Sequence, residues 1–289
     1  MNKKLTLVSL ILMIFTSVFG FANMPRAFYL MGYSAIPWYI FSAILFFIPY
    51  AFMMAEYGSS FKSERGGIYS WMEISVNSKY AFIGTFMWYA SYIIWMVNVS
   101  SAIWIPLSNA FFGMDRTSEL SLFGLSSVQV LGIMGALFIL FVTFVSTKGV
   151  EKIKKVTSIG GSAVALLNIA LLVGGFVVLI SNGFEFKQPI QNIIKDFTVS
   201  PNPAYQSPIS ILSFLTFSIF AFGGLEVLGG LVDQTENAEK TFPKGLTIAA
   251  IVISLGYAFG IFACGMFINW NEVLQTDAVN MGNVAYIIM

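Results

Sequence analysis

Between Phe220 and Gly230 the chain reads FAFGGLEVLGG, placing Gly223, Gly224, Gly229, Gly230 and Glu226 inside a long apolar run. A glycine in a helix interior costs about 1 kcal/mol relative to alanine, so a cluster of them invites the helix to unwind. Unwound backbone inside a membrane is tolerated only where it is buried in protein or lines a wet cavity, because each unsatisfied amide costs several kcal/mol in lipid. At such a break one half-helix ends in free carbonyls and the next begins with free N–H groups and a partial positive charge. Together these suit a zwitterion, with its carboxylate on the amides and its ammonium on the carbonyls. A second interrupted run carries Thr16, Ser17 and Gly20, with Asn23 and Pro25 just beyond. The competing reading is that the glycines serve close helix packing; packing is expected for Gly229 and Gly230, and unwinding for Gly223 and Gly224.

Glu226 is the acidic residue set well inside a span, which makes it a functional candidate by default. Three roles fit it: a proton carrier, a partner for a cation, or a hydrogen-bond anchor for unwound backbone. Glu56, in MMAEYG, sits near a span end, where pairing with Lys62 or Arg65, or capping a turn, is the simpler expectation. Aromatics crowd WYASYIIW, from Trp88 to Trp95, most of them facing lipid or core.

These residues must be positioned by membrane helices. The 289 residues are 57% hydrophobic and only 10% charged, against about 25% charged in soluble domains. Mean hydropathy is +0.80. A hydrocarbon core about 30 Å thick needs about 20 apolar residues per helix, and seven such runs are expected: 5–22, 36–57, 80–107, 128–146, 157–181, 208–232 and 246–270. Runs of this length exclude membrane β-strands, which need only about ten residues and alternate polar with apolar. The chain reads as an all-α polytopic membrane protein. A leader reading of Lys3, Lys4 and the apolar run behind them is disfavoured, because no small-residue cleavage pattern follows.

Eleven of the fifteen basic residues (Lys3, Lys4, Lys62, Arg65, Lys79, Lys148, Lys152, Lys154, Lys155, Lys240 and Lys244) fall on one side of this layout, and Arg26, Arg116, Lys187 and Lys195 on the other. The positive-inside bias then sets the N-terminus in the cytoplasm and the connection 182–207 outside. Runs one and six are both interrupted and lie five spans apart, as an inverted repeat requires.

Several chemistries drop out. With no His and a single Cys, Cys264, neither a serine triad, a Cys/His metal site nor an intrachain disulfide can be built. No phosphate-binding G-x-x-x-x-G-K-[ST] loop occurs, so energy is expected from a gradient or an exchange. A net charge of +1 offers no field for nucleic acid. No cofactor is expected, nor an enzyme.

Pro25, AFMMAEYG, ERGGIYSWM (Glu64 to Met72) and FAFGGLEVLGGLVDQTENAEKTFPKG (Phe220 to Gly245) resemble the amino acid/polyamine/organocation transporter superfamily, and within it the bacterial glutamate/GABA antiporter-like branch with its inner-membrane amino acid permeases. The resemblance runs along essentially the whole chain. It implies five plus five inverted spans, usually with two more, and alternating access around broken first and sixth helices. The halves would be 1–181 and 208–289, joined by the external loop 182–207. Counting back from Pro25, the family's Gly-Ser-Gly break falls on Val18, Phe19 and Gly20, of which only Gly20 is kept. The gating aromatic would be Phe220, with Ala221, Gly223 and Gly224 beside the amine. Alignment at Trp88 brings Ala90, Ser91 and Trp95 to the site; Ser17, Phe19 and Gly20 are further candidates there, and Glu226 is the candidate for proton or ion coupling. The lysine that some relatives carry in span five is missing here after Lys155.

The resemblance implies a secondary transporter of small zwitterionic or acidic amino acids in the bacterial inner membrane, with the bilayer and a proton or counter-substrate as its partners. Seven spans would make one repeat and the start of a second, so a truncated chain that does not transport alone is expected. The alternative is a non-transporting fragment or interaction subunit that needs a complementary chain.

Overall fold

A computed structural model describes residues 4–64, 66–276, 279 and 281–288 of the chain. Lys3 and Arg65, used above for orientation and pairing, lie outside the described residues. In chain order the helices are α1 (Leu7–Val18), α2 (Asn23–Met31), α3 (Ala35–Ser42), α4 (Ile48–Ser60), α5 (Ile68–Ser75), α6 (Ser78–Ala102), α7 (Trp104–Phe112), α8 (Ser127–Ser146), α9 (Val150–Ser181), α10 (Ile193–Thr198), α11 (Pro208–Phe220), α12 (Ala238–Phe267) and α13 (Val284–Ile288). A π-helical turn, Ala43–Phe47, joins α3 to α4, and a 3-10 stretch, Leu225–Gln234, follows α11.

Among the described residues, six helical stretches are long and apolar enough to cross a membrane: Asn23–Ser60, Ser78–Phe112, Ser127–Ser146, Lys152–Ser181, Pro208–Gln234 and Ala238–Phe267. The expected first span needs correction. Helix α1 has 12 residues, about 18 Å at 1.5 Å per residue, too short for a bilayer. The run does not end at Ala22; it resumes as α2. Pro25 reads as a stop in sequence, but it occupies the first turn of α2, where its missing N–H would be without a helical partner anyway. The last long helix also begins earlier than its apolar run, at Ala238. Pro243 sits near its start, and Thr247 Oγ1 donates to the Pro243 carbonyl at 2.9 Å.

The chain divides into two compact units, Met1–Gly67 with Val156–Met289, and Ile68–Lys155. In the first, α12 is the central element. Phe242, Leu246, Ile253, Tyr257 and Ile261 are fully buried at helical spacing, and α12 packs on α1, α2, α3 and α4. Its glycines allow close approach: a Cβ at Gly260 would meet Met24 Sδ at 1.9 Å, and one at Gly265 would meet Tyr33 Oη at 2.1 Å. Segments after α9 and α12 are fastened onto α2 and its end. Tyr33 Oη donates to the Gln188 carbonyl, Trp270 Nε1 to the Tyr29 carbonyl, and Arg26 Nε to the Met281 carbonyl at 2.7 Å.

In the second unit, α6 packs on α5 and α8. Asn77 caps α6, its side chain accepting from the Tyr80 N–H, and Ser126 with Gln129 forms a capping box on α8. Gly135 lies against Ser100 and Ser101, where a Cβ would come within 3.2 Å of both hydroxyls.

Candidate functional site

The two interruptions sit in the first unit. Break one is the non-helical Phe19–Ala22 link between α1 and α2, and break six is Ala221–Gly224 between α11 and the 3-10 stretch. They touch. A Cβ built on Gly224 would lie 2.4 Å from the Ser17 carbonyl oxygen, and the φ of +123° at Gly224 is one that side-chain-bearing residues rarely adopt. Only glycine fits at 224, for both reasons at once.

Tyr257, from the middle of α12, joins the breaks. Its hydroxyl accepts from the Gly20 N–H at 2.9 Å and from Asn23 Nδ2 at 3.3 Å, and its single proton is shared between the Val18 carbonyl at 3.2 Å and the Ala221 carbonyl at 3.0 Å. One oxygen thus satisfies backbone groups from both interruptions, which buried amides and carbonyls require. The ring is held by aromatic packing. Phe19 stacks on it at 4.6 Å, Phe222 meets it edge-on at 5.2 Å, and Tyr39 lies 5.2 Å away.

Glu226 opens the second half of span six, two residues after Gly224. Its Oε2 accepts from Tyr50 Oη at 2.8 Å and from the Gly224 N–H at 3.2 Å. The carboxylate therefore braces the unwound backbone against α4. Ser42 and Ser218, both buried, are linked at 2.6 Å and tie α3 to α11. At the far ends of the two half-spans, the Leu5 N–H donates to the Gln234 carbonyl at 2.8 Å and the Glu236 N–H to the Leu5 carbonyl at 2.9 Å. The chain entering α1 and the chain leaving the 3-10 stretch are thus fastened together as well.

Among the residues expected at the site, Ser17, Phe19, Gly20, Ala221, Gly223, Gly224 and Glu226 all lie at or beside the paired breaks. Their roles differ. The Ser17 hydroxyl donates back to Met13 O at 2.9 Å within its own helix. Phe19 is 3% exposed and belongs to the aromatic packing. Phe220 ends α11 and is 65% exposed, whereas Phe222 is fully buried and stacks on Phe47 at 4.6 Å. Ser91 and Trp95 belong to the second unit, on α6; Ser91 Oγ donates to the Trp88 carbonyl, and Trp88, Tyr92 and Trp95 form a short aromatic ladder.

The expected pairing of Glu56 with Lys62 is corrected: Lys62 Nζ pairs with Glu239 at 2.5 Å, reaching the first turn of α12. The close packing expected of Gly229 and Gly230 is not found at Gly230, which is exposed and has nothing within 4 Å of an added Cβ, whereas Gly229 is buried. Tyr257 and Tyr50 are not singled out by the sequence, and Asn23 appears there only as a neighbour of the first interruption. Each is a polar side chain in an apolar run, and a phenol or amide placed there needs a partner. Among the described residues no cluster of three His, Cys, Asp or Glu could hold a metal.

The profile of the amino acid permease family matches residues 5–288. The chain belongs to that family. Members are transporters rather than enzymes, consistent with a polytopic helical chain built around two broken spans. The inner membrane transporter YjeM of Salmonella typhimurium is 55% identical over 287 residues, covering 99% of this chain and 56% of the relative. The YjeM of Escherichia coli is 54% identical over the same length. The aspartate/glutamate permease AcaP of Lactococcus lactis is 25% identical over 288 residues, 57% of its own length. This family member therefore spans a little over half the length of these curated relatives.

Proposed function

We propose that the chain carries the substrate-binding core of a secondary active amino acid transporter of the bacterial inner membrane, which moves small zwitterionic or acidic amino acids by alternating access. The meeting of the two breaks supports this most directly. Val18 and Ala221 carbonyls and the Gly20 amide converge on the Tyr257 hydroxyl, so unwound backbone from both broken spans is held together at one place, as a site built on the two breaks requires. The half-helix ends add partial charges of the matching signs. Relatives named as inner membrane transporters and as an aspartate/glutamate permease point the same way.

In this reading 1–181 and 208–289 are an inverted first half and the start of a second, joined by an external loop at 182–207, with the N-terminus cytoplasmic. Phe220 gates the site, its exposed ring being free to swing. Glu226 couples transport to a proton, since its carboxylate is bonded to the unwound backbone of break six and to Tyr50. Uptake of a labelled amino acid pool into proteoliposomes tests the reading, comparing the 289-residue chain with a version extended to the length of its relatives. Accumulation by the extended version supports it; a pool left untouched by both versions rejects it.

A further inference from the structure

Arg26 has no role in the site as expected from sequence, which leaves it in a connection. The fold places it in α2, inside the Asn23–Ser60 candidate span. It is half-buried, one helical turn beyond Asn23, the residue whose amide reaches Tyr257. A cation in such a place is costly and marks function by default.

Of the five N–H donors of a guanidinium, the Nε one donates to the Met281 carbonyl. The two Nη groups donate to no acceptor among the described residues. On α3, which packs on α2, Tyr39 is fully buried and its hydroxyl has no hydrogen-bond partner among the described residues. Buried hydroxyls are normally partnered, so an orphan on the helix packed against the one that carries an open guanidinium fork points to an acceptor that arrives with a ligand. A carboxylate fits: the fork gives it two parallel charge-assisted bonds, and the phenol adds a third donor. The Tyr39 ring also packs against Tyr257 and Phe222, which places it next to the breaks.

The backbone groups of the breaks recognise what all amino acids share. Asn23 to Arg26 is a rise of about 4.5 Å, comparable to the reach from the α-carbon of aspartate or glutamate to its side-chain carboxylate. We propose that Arg26, with Tyr39, is the specificity determinant that selects acidic amino acids, binding the side-chain carboxylate while the breaks hold the α-ammonium and α-carboxylate. This rests on the transport reading above.

The test is the KM for glutamate, aspartate and alanine in proteoliposomes of the extended permease, for the wild type, Arg26→Gln, Arg26→Lys and Tyr39→Phe. The wild type should favour an acidic substrate over alanine. Arg26→Gln should shift the acidic-to-alanine KM ratio against the acid by about tenfold or more, as removal of a hydrogen-bonded ion pair does. Arg26→Lys should recover part of the preference, because it restores charge without the fork, and Tyr39→Phe should lose a smaller part. Preference for alanine in the wild type, or an unchanged ratio in Tyr39→Phe and both Arg26 variants, overturns the inference and leaves the transport reading standing. Failure of the wild type to take up any of the three overturns that reading itself, and this inference with it.

Discussion

Ser17 and Gly224 approach each other so closely that the first carbon of any side chain at position 224 would fall 2.4 Å from the Ser17 carbonyl oxygen. Backbone from the first broken span thus lies directly on backbone from the sixth. Gly224→Ala combines a forbidden φ with a clash against backbone, and should cost about 2–4 kcal/mol. At Gly230 nothing lies within 4 Å of an added Cβ, so Gly230→Ala should change stability by about 0.5 kcal/mol or less. Unfolding midpoints in detergent check the contrast; equal effects would deny the tight contact.

Tyr257→Phe keeps the ring that stacks between Phe19 and Phe222 and removes the hydroxyl that serves Gly20, Val18 and Ala221. Leaving those groups unpaired should lower stability by about 1–3 kcal/mol. Denaturant titration of the purified protein measures this. A neutral substitution would mean that other donors or water already satisfy the breaks.

Glu226→Gln is close to isosteric, and its amide oxygen can still accept from Tyr50 and from the Gly224 N–H. Membrane insertion and folding should therefore persist while the pH dependence of uptake disappears. Uptake measured across a pH series distinguishes the roles: a pH profile like that of the wild type would leave Glu226 as a brace and exclude it as the proton carrier.

Phe222→Ala empties a fully buried position stacked on Phe47 and should cost about 3–5 kcal/mol. Phe220→Ala changes an exposed ring and should leave stability within about 1 kcal/mol while accelerating escape of bound substrate. Thermal unfolding and substrate efflux, measured on both variants, separate packing from gating. Wild-type efflux in Phe220→Ala would count against a gate.

The break in span six is legible because glycine density has a direct backbone cost, and the glycine with positive φ is one of those that FAFGGLEVLGG displays. Break one is harder to see. Its α1 is too short for a bilayer, but the apolar run masks this, and Pro25 looks like an ending when it is the first turn of a new half-helix. That one misreading moves Arg26 from a connection into a span. Tyr257 escapes notice for a different reason: it lies 237 positions from Gly20, and no local pattern reveals which distant amides a phenol will serve. Lys62 finds Glu239 rather than Glu56 because tertiary packing brings the first turn of α12 to the end of α4.

The central claim is that the paired breaks bind one amino acid together. Hydrogen exchange of the amides in 19–24 and 221–225, measured on the extended protein in nanodiscs with and without a saturating amino acid pool, tests it most directly. The account predicts that both segments gain protection together, while amides in the core of α12 change little. Protection of neither segment, or of one without the other, would contradict it.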